Sequence, residues 1–251
     1  MTHPLIRKLA NFTQLTDAEC QALLDAIGPA QHFGPREDIV PQGSPADGVN
    51  LVLEGIACRY KLLPDGRRQI LAYMVPGDTC DLCAFVLRRL DHGIASLAPV
   101  SVAVIPQEQL AELTRIHPNI KRGLWWAALV EEATTREWLV NVGQRTAYER
   151  LAHLLCEMFV RLRAIALADG DRCELPLTQA ELADTLGLST VHVNRTLQDL
   201  RRAGFITLRG KNLVVHDFPA LQRAAMFNPG YLDLGHHGGE PPTDAHQRQR
   251  L

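Results

Sequence analysis

No stretch of this chain approaches the roughly 20 consecutive apolar residues that a membrane-spanning helix needs. Its opening, MTHPLIRKLANFTQL, lacks the sustained apolar run of a secretory leader. A cytoplasmic protein without membrane contact is therefore expected. Nor is there a strong charge of one sign: the formal net charge is −2 over 251 residues, so any affinity for a polyanion has to come from a local excess. The six cysteines, Cys20, Cys58, Cys80, Cys83, Cys156 and Cys173, are scattered, which fits reduced thiols rather than a disulfide framework. Cys80 and Cys83 make one C-x-x-C spacing and no second one exists. A structural zinc takes four ligands and an iron–sulfur cluster usually four, so the pair alone is a weak metal signal. His92, Asp81 and Asp91 would complete a site only if the fold brought them together. Packing is the favoured reading of these thiols, ahead of a metal or a thiol switch, and no metal site is expected. Ser/His/Asp order, a phosphate-binding glycine loop and H-E-x-x-H are all missing, so no enzyme is expected; the cofactor is left unknown, and no particular His or Cys argues for a haem.

What is present is concentrated in Leu177 to Leu200, LTQAELADTLGLSTVHVNRTLQDL. Thr178 is placed to cap a helix, with Glu181 as its capping-box partner, and Leu182, Ala183 and Leu186 form an apolar stripe. Gly187 ends that helix, and Ser189 caps a second one running to about Arg202. Val193, Leu197 and Leu200 lie on the inward face of the second helix; Thr190, Val191, Asn194, Arg195 and Gln198 lie on the other, with His192 beside them. Asn and Arg side chains can pair with base edges in a major groove, and Thr or Val can touch a thymine methyl.

An ordinary helical hairpin would have the same pattern, but the residues downstream of it narrow the choice. Two apolar runs, Gly204 to Leu208 and Leu213 to His216, flank the turn Arg209-Gly210-Lys211-Asn212, which predicts a small β-hairpin. A helix-turn-helix followed by such a wing is a winged helix with Arg209 and Lys211 at its tip. Arg195, Arg201, Arg202, Arg209 and Lys211 face only Asp199 within that stretch, a local basic excess suited to phosphate contacts. Double-stranded DNA is the expected partner. The alternative is a nucleotide-sensing module whose winged helix docks a protein.

Upstream, residues from about Gln31 to Pro106 read as strands. Gly43, Gly55, Gly66 and Gly77 fall at nearly even spacing between runs such as Val49 to Leu53 and Gln69 to Val75, with a final strand at Ser101 to Ile105. Evenly spaced short strands with turn glycines imply a β-roll. A long helix is expected from Ile120 to Val142, flanked by Pro118 and Gly143, with Trp126, Ala133 and Val140 spaced by sevens and Leu129 and Arg136 between them. Such a seam suits pairing with a second copy, giving a homodimer. A hinge at Gly143 to Ala147 and a helix over Tyr148 to Ala166 come next. The expected division is a sensor roll with flanking helices over 1–117, a central helix and hinge over 118–145, a winged helix over 146–227 and a disordered tail over 228–251. The fold class is α+β.

An antiparallel β-roll, a long central dimerisation helix and a winged helix in this order resemble the Crp/Fnr superfamily of bacterial transcription regulators. Local matches are Gln42-Gly43, Leu53-Glu54-Gly55, Pro76-Gly77-Asp78 and the helix-turn-helix. The resemblance implies a homodimer on a near-palindromic promoter site, contact with RNA polymerase and control by a small signal. It matches Arg195 to a base-reading arginine and Thr178, Gln179 and Ser189 to phosphate contacts. Thr190 and Val191 replace charged base readers, so the target sequence should differ. In cyclic-nucleotide-binding members a Gly-Glu-Leu acid holds the ribose and Arg-Ser or Arg-Thr neutralises the phosphate. Here Asp81-Leu82 stands at the first place and Leu90-Asp91 at the second. An Asp beside a phosphate repels it, and Arg88 or Arg89 would have to compensate. Asp81, Leu82, Arg88, Arg89 and Asp91 are the effector-pocket candidates, with an ordinary cyclic nucleotide not the expected effector.

Overall fold

A computed structural model describes residues 3–45, 47–82 and 89–234. Two short helices, α1 (Pro4–Leu9) and α2 (Asp17–Ala26), precede eight strands: β1 (Gln31–Phe33), β2 (Asp38–Val40), β3 (Gly48–Glu54), β4 (Ala57–Leu62), β5 (Arg68–Met74), β6 (Thr79–Cys80), β7 (Gly93–Ser96) and β8 (Val100–Pro106). These form two antiparallel sheets ordered β1-β8-β3-β6 and β2-β7-β4-β5, which is the expected roll. Gly43, Gly55, Gly66 and Gly77 all adopt positive φ, so their even spacing marks turns. At Gly55 a Cβ would also collide with the Pro99 carbonyl oxygen. Val52, Ala57, Met74, Cys80, Ile94, Val100 and Val102 pack between the sheets.

Next come α3 (Gln107–Ile116), α4 (Pro118–Gln144) and α5 (Ala147–Ala164). The central helix is longer than its sequence flanks suggest. Pro118 occupies its first turn, where the missing N–H costs no bond, and Gly143 lies inside it. The break is narrower than the expected hinge. Thr146 caps α5 through a capping box with Glu149, which restarts the helix after a break of only Arg145 and Thr146.

The face of α4 that packs inward also differs. Trp126 turns toward α1 and meets Phe12 with ring centroids 6.0 Å apart. The outward stripe is instead Trp125, Leu129, Leu139 and Val140, exposed by 63%, 59%, 75% and 46%. Arg136 and Glu132 pair within this stripe, 2.5 Å apart.

The C-terminal part holds β9 (Ala168–Asp169), β10 (Arg172–Glu174), α6 (Gln179–Leu186), α7 (Thr190–Arg202), β11 (Ile206–Arg209), β12 (Asn212–Val215) and α8 (Phe218–Ala224). Its sheet, β11-β12-β10-β9, extends the expected hairpin by two strands. Leu151, Leu154, Leu155, Met158, Phe159 and Leu162 of α5 fill its core, as their spacing predicts.

The expected disordered tail begins too early. Pro229–Leu232 form a 3-10 turn capped by Asn228, Leu232 is buried, and the Tyr231 hydroxyl donates to Glu157 Oε2 at 2.8 Å. One aromatic and one aliphatic side chain in a polar stretch suffice to anchor it. Residues 235–251 lie outside the described residues.

Glu157 is fully buried and is the focus of this junction. It also accepts from Trp138 Nε1 of α4 at 2.9 Å and from Arg161 Nη1 at 3.2 Å. Arg161 Nη2 continues to Asp78 Oδ2 at 2.8 Å and to the Tyr73 carbonyl at 2.7 Å. Burial alone would raise the Asp78 carboxyl, but Lys8 and Arg161 on either side hold it below the usual range. One network thus joins roll, central helix, α5 and tail.

His153 sits beside it, fully buried, edge-on to Phe227 and stacked over Tyr231, with Nε2 3.3 Å from Glu137 Oε1. Desolvation first and the Arg145 charge second push it down to about 4. A histidine buried neutral must take up a proton on unfolding in acid. Stability is therefore expected to be unaffected by this group above pH 6.5 and to fall as pH drops from 6.5 toward 4, by roughly 2–3 kcal/mol. Chemical denaturation from pH 7.5 to 4.5 on the wild type and on His153→Gln checks this. Parallel pH slopes in the two proteins would refute it.

Candidate nucleic-acid interface and effector pocket

Local chemistry builds α6 and α7 as the sequence predicts. The Thr178 backbone N–H donates to Glu181 Oε2 at 2.7 Å, and the Glu181 N–H to Thr178 Oγ1 at 3.2 Å. Gly187 takes the left-handed conformation, φ 64° and ψ 38°, and Ser189 Oγ accepts from the His192 N–H at 3.2 Å. Val193, Leu197 and Leu200 are buried, whereas Ser189, Thr190, Val191, His192, Asn194, Arg195 and Gln198 are exposed. Gln179, Thr190, Val191, Asn194, Arg195, Gln198 and Arg202 line one open surface depression.

Across it Asn194 Nδ2 donates to Gln179 Oε1 at 3.1 Å, fixing one recognition-face amide against the first helix. Neither the Arg195 nor the Arg209 side chain makes a hydrogen bond or ion pair with a described residue.

Three of the five basic side chains are differently engaged than their count implies. Arg201 Nη2 donates to the Leu208 carbonyl at 2.5 Å, tying α7 to the wing. Arg202 pairs with Asp199, and Lys211 Nζ lies 3.0 Å from Glu174 Oε1 of β10. The structure brings Glu174 to the wing tip, so the basic excess there is smaller than the linear stretch suggests.

The back of α6 rests on the roll. Arg68 Nε donates to Asp184 Oδ2 at 2.9 Å, Gln69 Nε2 to the Thr185 carbonyl at 3.0 Å, and the Tyr73 and Thr185 hydroxyls are hydrogen-bonded. Arg36 Nε stands 3.6 Å from Glu181 Oε1. Strand β5 therefore fixes the first helix while α7 faces outward.

The effector-pocket candidates do not converge. Leu82 is buried among the helices around α4. Arg89 points away, donating to the Gly43 carbonyl at 2.7 Å on the surface. Asp91 is 71% exposed and pairs with Lys61 Nζ at 2.7 Å, which with His92 holds its carboxyl down to about 2. Arg88 lies outside the described residues, as does Cys83. Among the described charged candidates Asp81 alone is largely buried, and it is already paired. Arg59 Nη2 lies 2.7 Å from Asp81 Oδ1, and His92 Nε2 lies 2.9 Å from Asp81 Oδ2.

Leu90-Asp91 offers no cation where a phosphate would need one: Leu90 is buried and apolar. Among the described residues, the candidate positions supply no cation placed for a cyclic phosphate. Arg59 and Glu131 are the site residues that sequence reasoning missed. An arginine at an alternating position of a mostly buried strand was the available signal.

The fold does bring Asp81, His92 and Asp91 together. However, the carboxylates bond opposite ring nitrogens of His92 rather than converging on one point. Among the described residues no group of three or more His, Cys, Asp or Glu is placed to hold a metal ion. Burial would lower the His92 pKa, but hydrogen bonds and charge from Asp81 and Asp91 raise it overall. Cys80 is buried against Met74 Sδ, 3.1 Å away, and desolvation raises its thiol well above the ordinary value. Packing, not thiolate chemistry, accounts for it.

Residues 30–117 match the model for the cyclic nucleotide-binding domain and residues 149–224 that for the Crp-like helix-turn-helix domain. The chain is 30% identical to the transcriptional activator protein FnrL of Cereibacter sphaeroides over 83% of its length and 85% of that protein's. It is also 30% identical to the nitrogen fixation regulation protein FixK of Bradyrhizobium diazoefficiens, over 81% and 84%. The solved structure of FixK2 from Bradyrhizobium japonicum superposes with a TM-score of 0.70 at 28% identity, covering 78% of this chain and 96% of that one. No described helix is long and apolar enough to cross a membrane. With roll, central helix and outward-facing winged helix in the same order as in these proteins, this chain belongs to the Crp/Fnr family of DNA-binding transcription regulators.

Proposed function

We propose that two copies pair through the exposed stripe of α4 and present two α7 helices to successive major grooves of a near-palindromic promoter site. The carrying observation is the outward face of α7, where Arg195 stands unpaired beside Asn194, Thr190, Val191 and Gln198. In this reading Arg195 and Asn194 read base edges, Val191 and Thr190 meet thymine methyls, and Thr178, Gln179, Ser189 and His192 line the phosphate backbone. Arg209 supplies a free wing-tip charge and Lys211 a paired one. The protein acts in the cytoplasm, touches RNA polymerase when bound and carries out no catalysis of its own. The relatives named as activators support activation as its mode.

Arg195→Ala is expected to cost about 1–3 kcal/mol on a specific fragment and to relax selection at one base pair. Arg209→Ala should weaken binding to all sequences alike and lower the salt slope by about one unit. Lys211→Ala should do less, because that ammonium must first leave Glu174. Gel shifts on genomic fragments selected by the wild type, repeated across salt concentrations, measure all three. Unchanged selection by Arg195→Ala would overturn the assignment of the recognition face.

A further inference from the structure

Among the described residues of the roll, Arg59 reaches both the inside of the sheet and the central helix. Its side chain is 12% exposed; Nη2 holds Asp81 at 2.7 Å and Nη1 holds Glu131 of α4. From Asp81 the chain of charges continues through His92 and Asp91 to Lys61. Asp81 itself is held at φ 60°, a conformation that a non-glycine residue rarely adopts, with its carboxylate locked between Arg59 and His92.

Beside this network, a cavity between β5 and α4 includes Leu71, Ala72, Glu131 and Thr135 among its lining residues, and it has a volume of about 80 Å³. Small-molecule sites are usually about 300–1,000 Å³. The two cations that line this cavity, Lys8 and Arg161, are both paired with Asp78, the neighbouring Asp81 is already held by Arg59, and the space is too small for a nucleotide. The same buried guanidinium makes the roll-to-helix link from within the chain.

We infer that Arg59 is a built-in cross-link that holds the β-roll against α4, so that the arrangement of the two recognition helices is set without a nucleotide effector. This rests on the DNA-reading function above and makes Arg59 a positioning residue, since it touches no DNA. The link is directional: a guanidinium grips two carboxylates at once, which a lysine ammonium does less well.

Full-length protein tests it in two measurements. In the first, 1 mM cAMP or cGMP is expected to leave the wild-type melting temperature and the hydrogen exchange of residues 127–135 unchanged. Glu131→Gln should raise exchange there at least tenfold. In the second, Arg59→Met/Glu131→Gln removes the charges at both ends of the link, and Asp81 keeps its hydrogen bond to His92. Its affinity for fragments selected by the wild type should fall at least tenfold, with Arg59→Lys intermediate.

Stabilisation by either nucleotide, or unaltered exchange in Glu131→Gln, would overturn the cross-link. Wild-type affinity in a double variant that melts like the wild type would overturn its positioning role. If exchange rises but wild-type protein retains no DNA fragment, the cross-link stands and the DNA reading fails.

Discussion

Glu157→Ala is expected to lower the unfolding free energy by about 3–5 kcal/mol, the cost of stripping one partner from a buried charge network. Three donors lose their acceptor: Trp138 Nε1, the Tyr231 hydroxyl and Arg161 Nη1. Arg161 keeps Asp78 and the Tyr73 carbonyl, so its charge is not stranded, which sets the loss toward the lower end. For a chain of this length each kcal/mol moves the melting temperature by roughly 2–4 °C. Tyr231→Phe, which removes one hydroxyl, should cost about 1 kcal/mol. An exposed pair supplies the contrast: removing Asp65 from Arg67 should change stability by no more than about 1 kcal/mol. Denaturant melts of the three variants test the ranking. A Glu157→Ala protein as stable as the Asp65 variant would show that the junction is held by apolar packing alone.

Leu129→Glu/Leu139→Glu is expected to leave the protein monomeric at micromolar concentration. Both side chains are exposed on the outward stripe of α4, and in a two-fold pairing each substitution appears twice at the seam. The change forfeits apolar burial worth about 1.5–3 kcal/mol per leucine and sets like charges against each other. Losing the linkage between two half-site contacts should reduce promoter affinity by roughly 10²–10⁴-fold. Since neither side chain packs in the monomer, the melting profile of the isolated chain should be nearly unchanged. Sedimentation velocity and gel shifts read both effects. A variant that stays dimeric would place the interface elsewhere.

The helix-turn-helix and its wing were legible in the sequence because the signals are local. Thr178, Gly187 and Ser189 act on backbone groups within a few residues of themselves, and the inward spacing of Val193, Leu197 and Leu200 leaves the reading face fixed by elimination. The roll was legible for a similar reason, since glycines of positive φ punctuate it at nearly even spacing. The central helix was legible in extent but not in orientation. A one-residue shift moves Trp126 onto Phe12 and leaves Trp125 in solvent, and periodicity over so broad an apolar surface does not choose between them.

Tertiary structure decided everything that depends on charges meeting across the chain. Composition counted Lys211 as a free wing-tip cation, but the fold places Glu174 beside it. The linear motif around Asp81 resembled a ligand site, yet a strand, the bend before β7 and a helix bring Arg59, His92 and Glu131 to that point and spend its carboxylate internally. Likewise Tyr231 lies in a polar stretch that reads as tail until Glu157 gives its hydroxyl a buried partner. By itself the sequence determined that this chain has a DNA-reading end, because caps, turns and helical faces are set within a turn or two of backbone. Whether its sensor end has room for a signal was decided only by the folded chain, because a buried charge acquires its meaning from the partner that long-range packing delivers to it.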